Sequence, residues 1–208
     1  MMPTAIPSKK HSFKQQQLQF RETAILDTVN ELLSQTGFDL MTMDEVAANV
    51  GIAKASLYKH FASKEALAAA CMTRLLERAL DTVHDLPDTN SALENLRAVV
   101  RWAVSAHLQG TMPLLPSTRS TIQSALQNHA PYMQALGKLI EQFATWIHEA
   151  QAQGELSVSL PSEVVLYALF ARSCDPVADF LKQGGAFTDH EITELIVETT
   201  FRGMVGQA

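Results

Sequence analysis

Residues 42–67 read TMDEVAANVGIAKASLYKHFASKEAL, and this stretch decides the fold. Met43 to Val50 is predicted as a short amphipathic helix with Val46, Ala47 and Val50 inward. Gly51-Ile52 follows, and a second short helix covers Lys54 to Phe61. Two helices joined by a glycine-bearing turn make a helix-turn-helix, whose second helix enters the DNA major groove. Gly51 suits the turn because a residue without Cβ adopts positive φ without strain. Leu57 and Phe61, four apart, pack the second helix on its neighbours. Lys54, Ser56, Tyr58, Lys59 and His60 are left to face outward.

The segment resembles the DNA-binding domain of the TetR family of transcriptional regulators. The elements that carry the likeness are Thr42, Gly51, Leu57-Tyr58-Lys59-His60-Phe61 and Ser63-Lys64-Glu65-Ala66-Leu67, in that order. The close likeness runs over about residues 18–68; the rest resembles the family in length and helical pattern. One position departs. Before the recognition helix, where the family often carries serine or threonine, stands Ala53. Its methyl accepts no bond from an early helical N–H, a loss of about 1 kcal/mol where a cap is removed.

Working outward, the chain of 208 residues holds one or two domains. A hydrophobic fraction of 47% against 18% charged residues fits a globular protein with a large core. The two cysteines, Cys71 and Cys174, form no CxxC pair and suit a reducing cytosol. The start, MMPTAIPSKKHSFK, lacks the apolar run of a signal peptide, and no segment approaches the ~20 apolar residues that span a bilayer. The expectation is a soluble, cytoplasmic protein with no membrane partner.

The net charge of −6 is unevenly spread. Residues 1–67 carry seven basic and seven acidic side chains, and the remainder carries nine and fifteen. Lysines gather in the N-terminal arm (Lys9, Lys10, Lys14) and around the recognition helix. A local basic patch is what phosphate neutralisation requires.

Helix starts are signposted by capping-box spacing at Ser12…Gln15, Thr42…Glu45, Ser91…Glu94 and Thr188…Glu191. The expected order is a first helix over Phe13–Gln35, with Leu18, Ile25, Val29, Leu32 and Leu33 inward, and then the two helices of the motif. A fourth runs from near Ser63 to His84 and a fifth over Ala92–Leu108. The Gly110–Pro116 segment breaks regular structure. A sixth helix covers Ser117–Asn128, and a seventh, carrying Met133, Leu136, Ile140, Phe143 and Ile147, ends at Gly154. Pro161 opens an eighth, which Pro176 kinks or splits, and Thr188 opens a ninth that reaches Gly203. The fold class is all-α, about nine helices. Residues 1–67 form an arm and a three-helix DNA-binding domain, and residues 68–208 a helical effector-binding and dimerisation domain.

The sites follow. Lys54, Ala55 and Ser56 open the recognition helix toward base edges: lysine donates to guanine, serine reads either base type, and alanine touches a thymine methyl. Tyr58 and His60 occupy positions that touch phosphate in the family resembled; Thr42 and Lys64 match phosphate contacts there too, and Lys59 lies on the same face. The resemblance also implies a second-domain cavity. Its candidate lining is Trp102, His107, Met112, Met133, Phe143, Trp146, Phe170 and Cys174, with Tyr132 and Tyr167 beside them; His107 and Arg172 are candidate polar anchors, and Gly110–Pro116 the entrance. Ordinary core packing is the competing assignment for each. Pairing of the last two helices is expected to form a two-fold bundle through Val165, Leu169, Val177, Phe180, Leu181, Ile192, Leu195, Ile196 and Thr199, with Ala168, Ala171 and Gly203 permitting close approach.

No Gly-rich phosphate loop, GxSxG, HExxH or His/Cys cluster stands in the chain, so neither catalysis, metal nor cofactor is expected. The function implied is a ligand-responsive, homodimeric repressor binding near-palindromic operator DNA and released by a small, largely apolar effector. The alternatives are an architectural or cell-division factor on the same scaffold with a filled core, and a helical enzyme with a vestigial motif.

Overall fold

The computed structural model describes residues 13–113 and 122–202. The arm lysines Lys9 and Lys10, the Ser12 cap, residues 114–121 of the expected entrance and sixth helix, and Gly203 lie outside the described residues. Helix α1 spans Phe13–Gln35, α2 Gly37–Leu40, α3 Met43–Val50, α4 Lys54–His60 and α5 Lys64–His84. Then come α6 Ala92–Leu108, α7 Ile122–Asn128, α8 Ala130–Ala152, α9 Ser162–Ala171, α10 Pro176–Gly184 and α11 Asp189–Arg202. A 3-10 turn, Arg172–Cys174, separates α9 from α10. The described residues are helical or irregular, with no strand element among them.

The capping residues act as their spacing predicts. Thr42 and Glu45 satisfy each other's backbone N–H groups at the start of α3, and Ser91 and Glu94 do the same for α6. The eighth predicted helix is two. Pro176 lacks the N–H that would continue the ladder, so Asp175 caps a new helix by accepting from the Val177 N–H at 3.0 Å. The one-turn helix α2 was not expected: Gly37, at φ +73, ends α1 and turns the chain so that Phe38 is buried. Leu18 differs as well. Expected inward, it is exposed, because α1 projects there beyond the helices it packs on.

Two apolar cores divide the molecule. The first joins Ile25, Val29 and Leu33 of α1 to Val46, Leu57 and Leu67. It does not stop at the motif: Ala103 and Ala106 of α6, Met112, and Ile122 and Leu126 of α7 belong to it. The second core packs Leu96, Val100 and Val104 of α6 against Leu139, Phe143 and Ile147 of α8, and takes in α9 and α11. Helix α5 serves both, with Leu67 to Leu75 in the first and Ala79 in the second. Cys71, midway along it, is buried against the Leu26 carbonyl and the Asn30 side chain of α1. A fork from Arg101 to both carboxylate oxygens of Glu194 ties α6 to α11. That bond holds the Glu194 carboxyl below its ordinary range.

Candidate nucleic-acid interface and effector cavity

Seven residues are too few for a stable isolated helix, so α4 is held by what it buries. Leu57 is fully buried, worth about 1.5–3 kcal/mol, and Phe61 packs half-buried beside it. Gly51, at φ +75, closes α3 and sets the angle between the two helices. Ala53 stands at the N-cap of α4 in extended conformation with no side-chain cap bond.

The outer face of α4 carries Lys54, Ala55, Tyr58 and Lys59, all exposed. Thr42, also exposed, opens α3 nearby in sequence, and Ser63 caps α5 through the Ala66 N–H. Lys54 is not free: its ammonium donates to the Asp44 carboxylate at 2.8 Å, which holds its pKa above 10.5. Lys64 sits 4.3 Å over the Phe38 ring and donates to the Asp39 carbonyl at 3.3 Å, which orients it at the N-terminus of α5.

His60 is a correction. Expected to face outward, its ring is turned under α1, with Nδ1 3.4 Å from a Glu22 carboxylate oxygen and its side chain 8% exposed. At the last position of α4 the helix turns that side chain back toward α1. Ser56 is half-buried and lines a groove with Phe20 and Arg21 of α1. Arg21 counted in the sequence only as one of the seven basic residues of 1–67, with no contact role. Its signal was the four-residue spacing to buried Ile25, which puts it beside α4 at the rim of the core face.

A cavity of about 210 Å³ opens among α5, α6, α8 and α9. Trp102, Met112, Phe143, Phe170 and Tyr132 from the expected set line it, joined by Leu75, Leu76, Val99, Leu139 and Ser173. The other expected residues stand elsewhere. Trp146 is buried in the core with its ring 6.1 Å from that of Phe143, Met133 and Tyr167 face solvent, and Cys174 lies in the 3-10 turn. His107 points away, to Asp179 of α10 at 3.1 Å, in a polar cleft between α1 and α10. Arg172 pairs with Asp175 at 2.6 Å. Periodicity alone marks all these positions as apolar or inward; which of them meets empty space depends on the crossing of four helices.

The turn after α6 joins this cavity to α1 and α5. The Thr111 carbonyl accepts from the Asn30 side chain of α1 at 3.0 Å and from Arg78 of α5 at 3.3 Å. The next residue, Met112, lines the cavity.

The expected pairing face needs correction too. Val165, Leu169, Ile192 and Ile196 are buried inside the protomer, because α9 and α11 turn those positions onto the second core. Solvent meets Val164, Tyr167, Val177, Phe180 and Leu195, the last two 70% and 43% exposed; Thr199 and Ala171 are exposed, while Leu181 and Ala168 are half-buried.

Among the described residues no group of three or more acidic, histidine or cysteine side chains is placed to hold a metal. No helix there is long and apolar enough to cross a membrane.

Comparisons with known proteins meet this geometry. Residues 25–71 match the family described as bacterial regulatory proteins, tetR family. The HTH-type transcriptional regulator AlkX of Mycobacterium tuberculosis is 29% identical over 87 residues, 42% of this chain and 41% of that protein. The chain thus spans about two fifths of that relative's length. Over nearly its whole length it shares a fold with a TetR family regulator from Agrobacterium tumefaciens, at TM-score 0.68 and 18% identity, covering 90% of this chain and 99% of that one. AibR, solved with isovaleryl coenzyme A and operator DNA, gives TM-score 0.63 at 24% identity, covering 87% and 98%. The helix-turn-helix and the all-helical frame define a class, the bacterial helix-turn-helix regulators. Within it, residues 25–71 match the TetR family's DNA-binding domain, and the helical frame around them shares the fold of TetR family structures.

Proposed function

We propose that this protein is a transcriptional repressor that binds a near-palindromic operator as a homodimer and leaves it when a small, largely apolar effector enters the second domain. The observation that carries the reading is the pairing of an outward-facing recognition helix, with Lys54, Ala55, Tyr58 and Lys59 exposed, with an apolar cavity in the same chain. The likeness to AibR, solved with both an acyl-coenzyme A and operator DNA, supports a two-ligand reading. The cavity weighs against an architectural factor with a filled core.

Thr42, Lys54, Tyr58, Lys59 and Lys64 would hold phosphates or base edges, and Arg21 would add a contact from α1. One recognition helix reads too few bases for useful specificity, whereas two on a two-fold axis read half-sites one helical turn apart. The solvent-facing apolar side chains of α9, α10 and α11 suit that pairing.

The linkage has a physical route. An effector would press on Leu75 and Leu76 of α5 and on Met112, moving the Thr111 carbonyl that grips Asn30 and Arg78. Moving the population from 1:99 to 99:1 needs about 5.5 kcal/mol of differential affinity, and operator DNA must weaken the effector by the same factor.

The test is fluorescence anisotropy with purified protein and DNA flanking its own coding sequence. Binding at least about 10³-fold tighter to one fragment than to random DNA, at two chains per site, is expected. Equal affinity for every fragment overturns the reading.

A further inference from the structure

The chemistry lining the cavity narrows the effector, on the assumption, taken from the proposed function, that the cavity is its site. Among the described residues, fifteen side chains line it and none is Asp, Glu, Lys, Arg or His. The Ser173 hydroxyl is already spent on the Phe170 carbonyl at 2.7 Å. The Tyr132 phenol, half-buried on α8, has no hydrogen-bond partner among the described residues, and burial pushes its pKa above 10.0. A ligand that fills the cavity cuts this phenol off from water, so one that supplies a partner binds better than one that leaves the phenol unpaired.

Charge decides against the commonest alternative. A carboxylate or phosphate moved from water into such a lining loses its hydration, and none of the described lining residues supplies a cation to replace it. Size sets the other bound. An apolar cavity of about 150 Å³ takes up benzene, and this one is about 210 Å³. A coenzyme A thioester would have to leave its phosphates outside.

We infer that the effector is an uncharged molecule about the size of a benzene ring with one or two small substituents, carrying one polar atom that exchanges a hydrogen bond with Tyr132. A neutral aromatic aldehyde or phenol fits, and its carboxylate counterpart does not.

The experiment titrates the full chain at pH 7.5 with toluene, p-cresol, 4-methylbenzaldehyde, 4-methylbenzoate and isovaleryl-coenzyme A. Melting temperature and tryptophan fluorescence, to which Trp102 in the wall contributes, are the readouts. The three neutral compounds are expected to raise the melting temperature by a few degrees and to change the emission, while the two anions do neither. Tyr132→Phe should weaken the aldehyde and the cresol about three- to tenfold and leave toluene unchanged. Stabilisation by 4-methylbenzoate or isovaleryl-coenzyme A as strong as by the aldehyde overturns the inference while leaving an effector-responsive repressor standing. If no compound of either class binds while operator binding persists, both the inference and the effector half of the proposed function fall. An unaltered aldehyde affinity in Tyr132→Phe removes the assigned hydrogen bond.

Discussion

At the residue scale the DNA face is defined as much by what restrains its lysines as by the lysines themselves. Lys54 is paired with Asp44, a carboxylate that would itself face the phosphates. Asp44→Asn removes that competitor. Affinity for operator and random DNA alike should rise, by roughly tenfold at most, and the slope of log affinity against log salt should steepen by about one. An unchanged slope in the anisotropy titration would place Lys54 off the interface. The outward set was legible where helical phase alone decides it, as at Lys54, Tyr58 and Lys59. It failed at His60, because the last residue of a helix is turned by what it meets, here Glu22 from α1, thirty-eight positions away. Arg21 was only half legible: its spacing to Ile25 puts it at the rim of the core face, but its place beside Ser56 is a matter of how α1 crosses α4.

Among elements, α4 is short, uncapped and the most consequential, since it carries the outward lysines. Its first turn has no side-chain cap, and the Ala53 backbone is already extended as a capping residue requires. Ala53→Ser should therefore stabilise the helix by about 0.5–2 kcal/mol, read as slower amide exchange through Lys54–His60; unchanged exchange would show that the end is satisfied some other way. The start of α11 is the opposite case. Thr188 donates its N–H and its hydroxyl to the Glu191 carboxylate at 2.7 and 2.8 Å, which lowers that carboxyl below its ordinary 4.5. A depressed carboxyl supports the fold above its unfolded pKa, and the support is lost as pH falls through the folded value. An NMR titration should place the Glu191 midpoint below 4.5, and Thr188→Ala should return it upward; a wild-type midpoint at 4.5 or above would mean that the box is open in solution. Helix boundaries were legible because caps and prolines announce them locally, as at Ser91 and Pro176. The one-turn α2 was not, since four residues carry too little periodicity to read.

For the whole molecule the sharpest consequences concern pairing and coupling. Leu195 is exposed on α11 and Ile192, one turn earlier, is fully buried. Leu195→Glu should give folded monomers by sedimentation with little change in protomer melting, whereas Ile192→Glu should lower the melting temperature outright. A dimer that survives Leu195→Glu places the interface elsewhere. The sequence could not separate these two residues, because they lie three apart on one apolar stripe of α11, and the stripe does not say which of its edges meets its own core. Coupling has its own test. Asn30→Ala removes one donor to the Thr111 carbonyl, so effector and operator should then bind with less mutual antagonism, by about fivefold or more; unaltered antagonism would route the signal through α5 alone. Cys71 adds a consequence for watching the two halves part. Burial raises its thiol to about 12, so almost no thiolate exists near neutrality while α1 lies on α5. In a Cys174→Ser background, a maleimide stays unreacted until that joint gapes, and its rate of capture becomes a native clock for the hinge.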